Sequence, residues 1–158
     1  MSASTQQQMA TFFVDGELFG VDVKDVQEVL MAQEVTPVPL APPHIVGLTN
    51  LRGQILPALD LRTRLGIAPR PEKAPSSNLV VKTSEGPVSL VVDEIGDVIE
   101  LPTNAWREVP ETVSPAERQF VQQIATLEDR LMLRLDIGRL LDEDGKHGGE
   151  DGARGGDR

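Results

Sequence analysis

The chain has no cysteine and no tyrosine, and only two histidines among its 158 residues. Without cysteine there is no disulfide framework, no thiolate nucleophile, and no Cys-ligated zinc or iron–sulfur centre. Basic charge is scarce as well: 15 Lys and Arg face 25 Asp and Glu, a formal net charge of −10. Such a surface does not hold nucleic acid phosphates or anionic lipid, so a partner surface should be apolar or basic. No apolar run approaches the roughly 20 residues that span a bilayer. Met1 to Gln8 has no basic or apolar signal region, which leads us to expect a cytoplasmic protein without direct membrane insertion.

Catalytic patterns are also missing. There is neither a G-x-S-x-G elbow nor a G-x-x-x-x-G-K-[ST] phosphate loop. His44 lies in a proline-rich stretch and reads as a surface or turn histidine, while His147 falls in a glycine-rich tail. Asp93, Glu94 and Asp97 read as a solvated bend. Asp142-Glu143-Asp144-Gly145 begins like a calcium loop, but Lys146 and His147 stand where ligands are needed. The expectation is a binding protein, not an enzyme, with no metal and no cofactor.

A hydrophobic content of 39% is enough for a core, and the length suits one domain or two small lobes. Residues 1 to about 10 read as a disordered lead-in. Thr11 to Val14, Asp15-Gly16 and Glu17 to Val21 form a strand, turn, strand pattern. From Asp22 the apolar residues Val23, Val26, Val29 and Leu30 recur at helical spacing, which predicts a short helix over about 22–30 with Asp22 as its N-cap. Two apolar runs then flank Asn50-Leu51-Arg52-Gly53, a second hairpin whose lone arginine reads, on residue statistics alone, as a solvated turn residue.

Asp60 is placed to cap a short helix ended by Gly66, and about 67–78 is a Pro/Ser-rich loop and the natural internal boundary. Leu79 to Val92 repeats the hairpin pattern, and Ser114-Pro115-Ala116-Glu117 is a helix start with a capping box. Leu131, Leu133 and Leu135 alternate as a strand, and Leu135-Asp136-Ile137 with Leu141 repeats Leu59-Asp60-Leu61 with Leu65. Residues 142–158 are rich in glycine and acid and read as a disordered tail. The repeat points to two similar small β barrels, with a β sandwich as the competing architecture.

The string Ile45-Val46-Gly47-Leu48-Thr49-Asn50-Leu51-Arg52-Gly53 with Pro57-Ala58-Leu59-Asp60-Leu61-Arg62 resembles the CheW family, the coupling proteins of bacterial chemosensory arrays. Gly20 to Val23 with Val26-Gln27-Glu28-Val29, Val91-Val92-Asp93 with Gly96-Asp97-Val98, and Asp129-Arg130-Leu131 with Leu135-Asp136 match its pattern too. The family often has a glycine near 120–127, where this chain carries Ile124-Ala125-Thr126.

The resemblance implies a mostly β fold of two SH3-like five-stranded barrels with a few short helices. It covers about 11–141, with subdomains at about 11–66 and 79–141. It implies an adaptor, recruited to membrane-associated receptor arrays, that bridges the cytoplasmic tips of chemoreceptors and the regulatory domain of the histidine kinase CheA. Arg52 is then expected to pair with Glu28. Val26, Glu28, Val29 and Leu30 beside Asn50, Leu51, Arg52 and Gly53 become the candidate interface, with Val98 a further candidate. The same adaptor in a non-swimming chemosensory pathway, such as surface motility or development, and a small-ligand-binding domain on a similar barrel are the alternatives.

Overall fold

The computed structural model describes residues 6–31 and 33–142. Strands β1 (Gln6–Val14), β2 (Glu17–Asp22) and β3 (Val26–Met31) come first, then the hairpin β4 (Ile45–Leu51) and β5 (Gln54–Asp60), closed by the one-turn helix α1 (Leu61–Arg64). The second half runs β6 (Ser77–Val81), β7 (Val88–Val92), β8 (Glu94–Pro102), the two-residue β9 (Trp106–Arg107), α2 (Pro115–Arg118), β10 (Val121–Thr126), β11 (Leu131–Leu135) and α3 (Ile137–Leu140).

The turn chemistry fixes the hairpins. Asp15 and Gly16 take φ values of 52° and 81° between the paired Val14 and Glu17, a left-handed two-residue turn whose twist matches the strands it joins. Asp60 and Asp136 each accept a hydrogen bond from the first turn of a one-turn helix, so the repeated Leu-Asp-aliphatic ending is the same cap used twice. Ser114 caps α2 as expected, its hydroxyl accepting from the Glu117 amide. The Glu117 carboxyl, however, meets that of Glu17 instead of completing a capping box.

Three expectations are corrected. Gln6 to Ala10 are strand: Met9 and Ala10 are buried, and the segment pairs with β8 from Gln6↔Pro102 to Ala10↔Val98. Residues 1–5 and 143–158, including His147, lie outside the described residues. The helix over 22–30 is absent; Asp22 caps only a 3-10 turn at Val23–Asp25, and the chain then enters β3. Val26, Glu28 and Leu30 alternate with the exposed Gln27, Val29 and Met31, so the period is two. Valines are stiff at χ1 and pack well on a pleated surface, and β6 supplies a ladder from Val26↔Val81 to Met31↔Ser77.

Nor does the chain divide at 67–78 into two sequential barrels. The strand orders are β8-β1-β2-β11-β10-β9 and β3-β6-β7-β5-β4, so each sheet takes a hairpin from one half of the chain and its other strands, four in the first sheet and three in the second, from the other half. Parallel pairing joins the exchanged pieces, Phe19 opposite Leu133 in one sheet and Leu59 opposite Leu90 in the other. Apart from β9 the two orders are the same pattern with the halves exchanged. The result is two intertwined SH3-like barrels.

The largest buried cluster draws on both sheets. It includes Phe12 stacked on Phe19 at 6.2 Å together with Leu59, Leu79, Leu90, Leu133 and Leu135. Met9, Leu18, Leu101, Ala125 and Met132 fill the first barrel, and Leu51, Leu56 and Val80 fill the second. Burying each such leucine contributes roughly 1.5–3 kcal/mol, so the shared cluster is what fuses the barrels. No helix among the described residues is long and apolar enough to cross a membrane.

Candidate functional site

The β4–β5 hairpin ends at the pair Leu51↔Gln54, leaving Arg52 and Gly53 as a two-residue turn with φ values of 54° and 87°. Both residues are left-handed, and Asn50 Oδ1 pins the turn by accepting from the Gly53 amide at 2.9 Å. This geometry aims Arg52 back over the barrel. Its Nη1 donates to Glu28 Oε1 at 2.7 Å, and Nη2 meets Oε2 of the same carboxylate, a bidentate fork. The hydrogen bonds and charge of Glu28 raise the Arg52 pKa above its ordinary value.

Arg52 leaves 72% of its side chain in solvent while Glu28 leaves 18%. So exposed a pair adds little stability by itself, but it fixes where the guanidinium sits. Because β3 and β4 are the opposite edges of one sheet, the pair links edge to edge at one end of the second barrel. Farther along, Thr36 and Leu48 exchange two backbone hydrogen bonds of 2.8 Å, and Thr49 Oγ1 donates to the Glu34 carbonyl at 2.9 Å. Gly47 allows that approach: a Cβ there would stand 2.2 Å from the Thr36 carbonyl oxygen.

The predicted residues separate into two groups. Val26 packs against the shared core, Leu30 against the second-barrel cluster, and Leu51 is buried within it, so these three support the corner from beneath. Val29, 47% exposed, and Asn50, Arg52 and Gly53 face solvent. Val26 and Val29 therefore lie on opposite faces of a strand, not along one helical edge. Val98 is 61% exposed but lies on β8 of the other sheet, opposite Ala10, and is not part of the corner.

Sequence reading missed the apolar neighbours on the outer face of the hairpin. Leu48 stands opposite Pro57 and Asn50 opposite Ile55, which is 57% exposed, so all four project outward beside the Arg52 turn. Met31, 82% exposed, continues the outward row of β3 after Val29. The signal was available: once Arg52-Gly53 is fixed as the two-residue turn, the register sends Leu48 and Ile55 out.

Two further expectations fail on burial. His44 is 5% exposed, its Nδ1 lies 3.4 Å from Arg64 Nη1, and Arg64 stacks on Phe120 at 4.7 Å while donating to the Leu140 carbonyl at 2.8 Å. Asp93 is a hub and not a solvated bend. It accepts from Arg62 Nε at 3.0 Å and Nη2 at 2.7 Å, from Arg70 Nε at 2.8 Å and from the Asp15 amide at 2.7 Å. Burial pushes its pKa up, but the Arg62, Asp15 and Arg70 hydrogen bonds outweigh burial and hold it down to about 2. This hub ties the β1–β2 turn of one barrel to α1 of the other. Through Arg70 it also pins the loop expected as a boundary.

Residues 8–145 match the CheW-like domain family. Over 140 residues the chain is 30% identical to the chemotaxis protein CheW of Bacillus subtilis, covering 89% of this chain and 90% of that one. Over 135 residues it is 30% identical to the chemotaxis protein CheW of Klebsiella aerogenes, covering 85% and 81%. The fold matches the crystal structure of the scaffolding protein TtCheW from Thermoanaerobacter tengcongensis with a TM-score of 0.79 at 32% identity, over 89% of this chain and 95% of that chain. With the family match spanning nearly all the described residues, the chain belongs to the CheW-like domain family.

Proposed function

We propose that this chain is a chemosensory coupling adaptor that holds the cytoplasmic tip of a chemoreceptor and the regulatory domain of a histidine kinase at once. The observation that carries the reading is the Glu28–Arg52 fork, which fixes a charged turn beside outward Leu48 and Ile55. A receptor tip is a helical hairpin, and docking one needs apolar contacts plus a few polar groups that set register. The corner offers both. Relatives named as chemotaxis protein CheW, aligned over most of their own length, support the same reading.

The work of such a protein is contact, and its residues serve by position. Val29, Leu48 and Ile55 supply apolar surface, while Asn50, Arg52 and Gly53 present the turn; Val98 is a candidate for a second contact on the other barrel. Recruitment to a membrane-associated array follows from holding a receptor, with no insertion of this chain. The test is a pull-down of the full chain with a receptor signalling-tip fragment and the kinase regulatory domain together. The adaptor reading predicts a ternary complex that Arg52→Ala weakens; failure to bind either partner overturns it.

A further inference from the structure

Strand β3 ends on an exposed thioether. Met31 is 82% exposed, whereas Met9 and Met132 are fully buried in the first barrel. The packing there is tight: a Cβ on Gly20 would stand 2.8 Å from the Met132 sulfur. The chain has no cysteine, so among the described residues Met31 carries the one sulfur that a dissolved oxidant meets directly.

The surroundings of Met31 follow from the strand register. It pairs with Ser77 in an edge strand of the sheet, and serine is too small to cover it. Two residues back on the same face, Val29 is 47% exposed and stands opposite Leu79 of the shared core. Met31 therefore lengthens the apolar row that Val29 begins.

We propose that Met31 is a reversible oxidation site that sets how well the β3 face of the docking surface holds a receptor tip, an inference that rests on the adaptor reading above. The oxidant is a hydroperoxide. The thioether sulfur attacks one peroxide oxygen, an S–O bond forms as the O–O bond breaks, and the proton passes to the departing oxygen. Sulfur is oxidised by two electrons to the sulfoxide, and hydrogen peroxide is reduced to water. The product carries an S–O dipole where the row offered apolar surface, so docking must desolvate that dipole or leave the contact unmade. Because the side chain already lies in solvent, its oxidation removes no packing from the fold.

The test treats the full chain with hydrogen peroxide in steps and follows each methionine by peptide mass mapping with fragmentation, beside affinity for a receptor-tip fragment and the urea midpoint. Met31 should oxidise about tenfold faster than Met9 and Met132, whose sulfurs are reached only when the barrel opens. At full Met31 oxidation the affinity should fall roughly fivefold with the urea midpoint unchanged, and methionine sulfoxide reductases of both stereospecificities should restore it. Met31→Gln should mimic the treated chain, and peroxide should leave the affinity of Met31→Leu at its own starting value. Buried methionines that oxidise as fast as Met31, an affinity that full Met31 oxidation leaves alone, or an equal loss in Met31→Leu overturns the proposal. A chain that fails to bind the tip before any treatment overturns the adaptor reading itself, and the docking consequence with it.

Discussion

The guanidinium of Arg52 forks onto the carboxylate of Glu28, joining the tip of one edge hairpin to the opposite edge strand of the same sheet. The arginine could have been left to solvent. Instead a left-handed turn, an Asn50 side-chain bond and a half-sheltered carboxylate together decide its direction.

Acid stability should depend on Asp93. Its pKa is depressed on folding, so its contribution is present above the ordinary value of 3.8 and is lost as pH falls through about 2. The shift corresponds to about 2 kcal/mol. Asp93→Asn should lower stability at neutral pH by about 3 kcal/mol, since it leaves Arg62 and Arg70 short of a buried partner, and should flatten the acid limb. Urea unfolding from pH 7 down to pH 2 checks both.

Gly47 and Gly53 should respond very differently to alanine. At Gly47 the new methyl meets the Thr36 carbonyl, so the strand crossing must open, with an expected loss of about 3 kcal/mol. At Gly53 nothing lies within 4 Å, and only the left-handed backbone is strained, which costs about 1 kcal/mol. Thermal or urea unfolding of the two variants separates a clash from a conformational preference.

Leu48→Asp and Ile55→Asp change side chains that already face solvent. Stability should stay within about 0.5 kcal/mol, while affinity for a receptor-tip fragment falls roughly tenfold. Calorimetric titration beside urea unfolding measures the two effects on the same variants.

Much of the local structure was legible, because turn residues state their geometry in the sequence. Asp15-Gly16 takes the left-handed turn that its residue types favour, as does Gly53, whereas the left-handed Arg52 beside it is not a conformation arginine favours; Asp60 and Asp136 both cap. Residues 23–30 were misread because Val23, Val26, Val29 and Leu30 fit a helical stripe, and only pairing with β6 selects the strand. The exchange of hairpins between barrels was hidden because sequence order does not say which half a strand joins. Asp93 was misjudged for a related reason: its partners Arg62 and Arg70 lie 31 and 23 residues away. The Glu28–Arg52 pair was expected from the family resemblance, and its geometry follows from the turn.

The central claim is that Glu28 acts on partners through Arg52. A double-mutant cycle on Glu28→Ala and Arg52→Ala, read as affinity for a receptor-tip fragment, tests it most directly. The account predicts that each single variant loses nearly as much affinity, about tenfold, as the double variant does. Losses that simply multiply, with no coupling between the two positions, would contradict it.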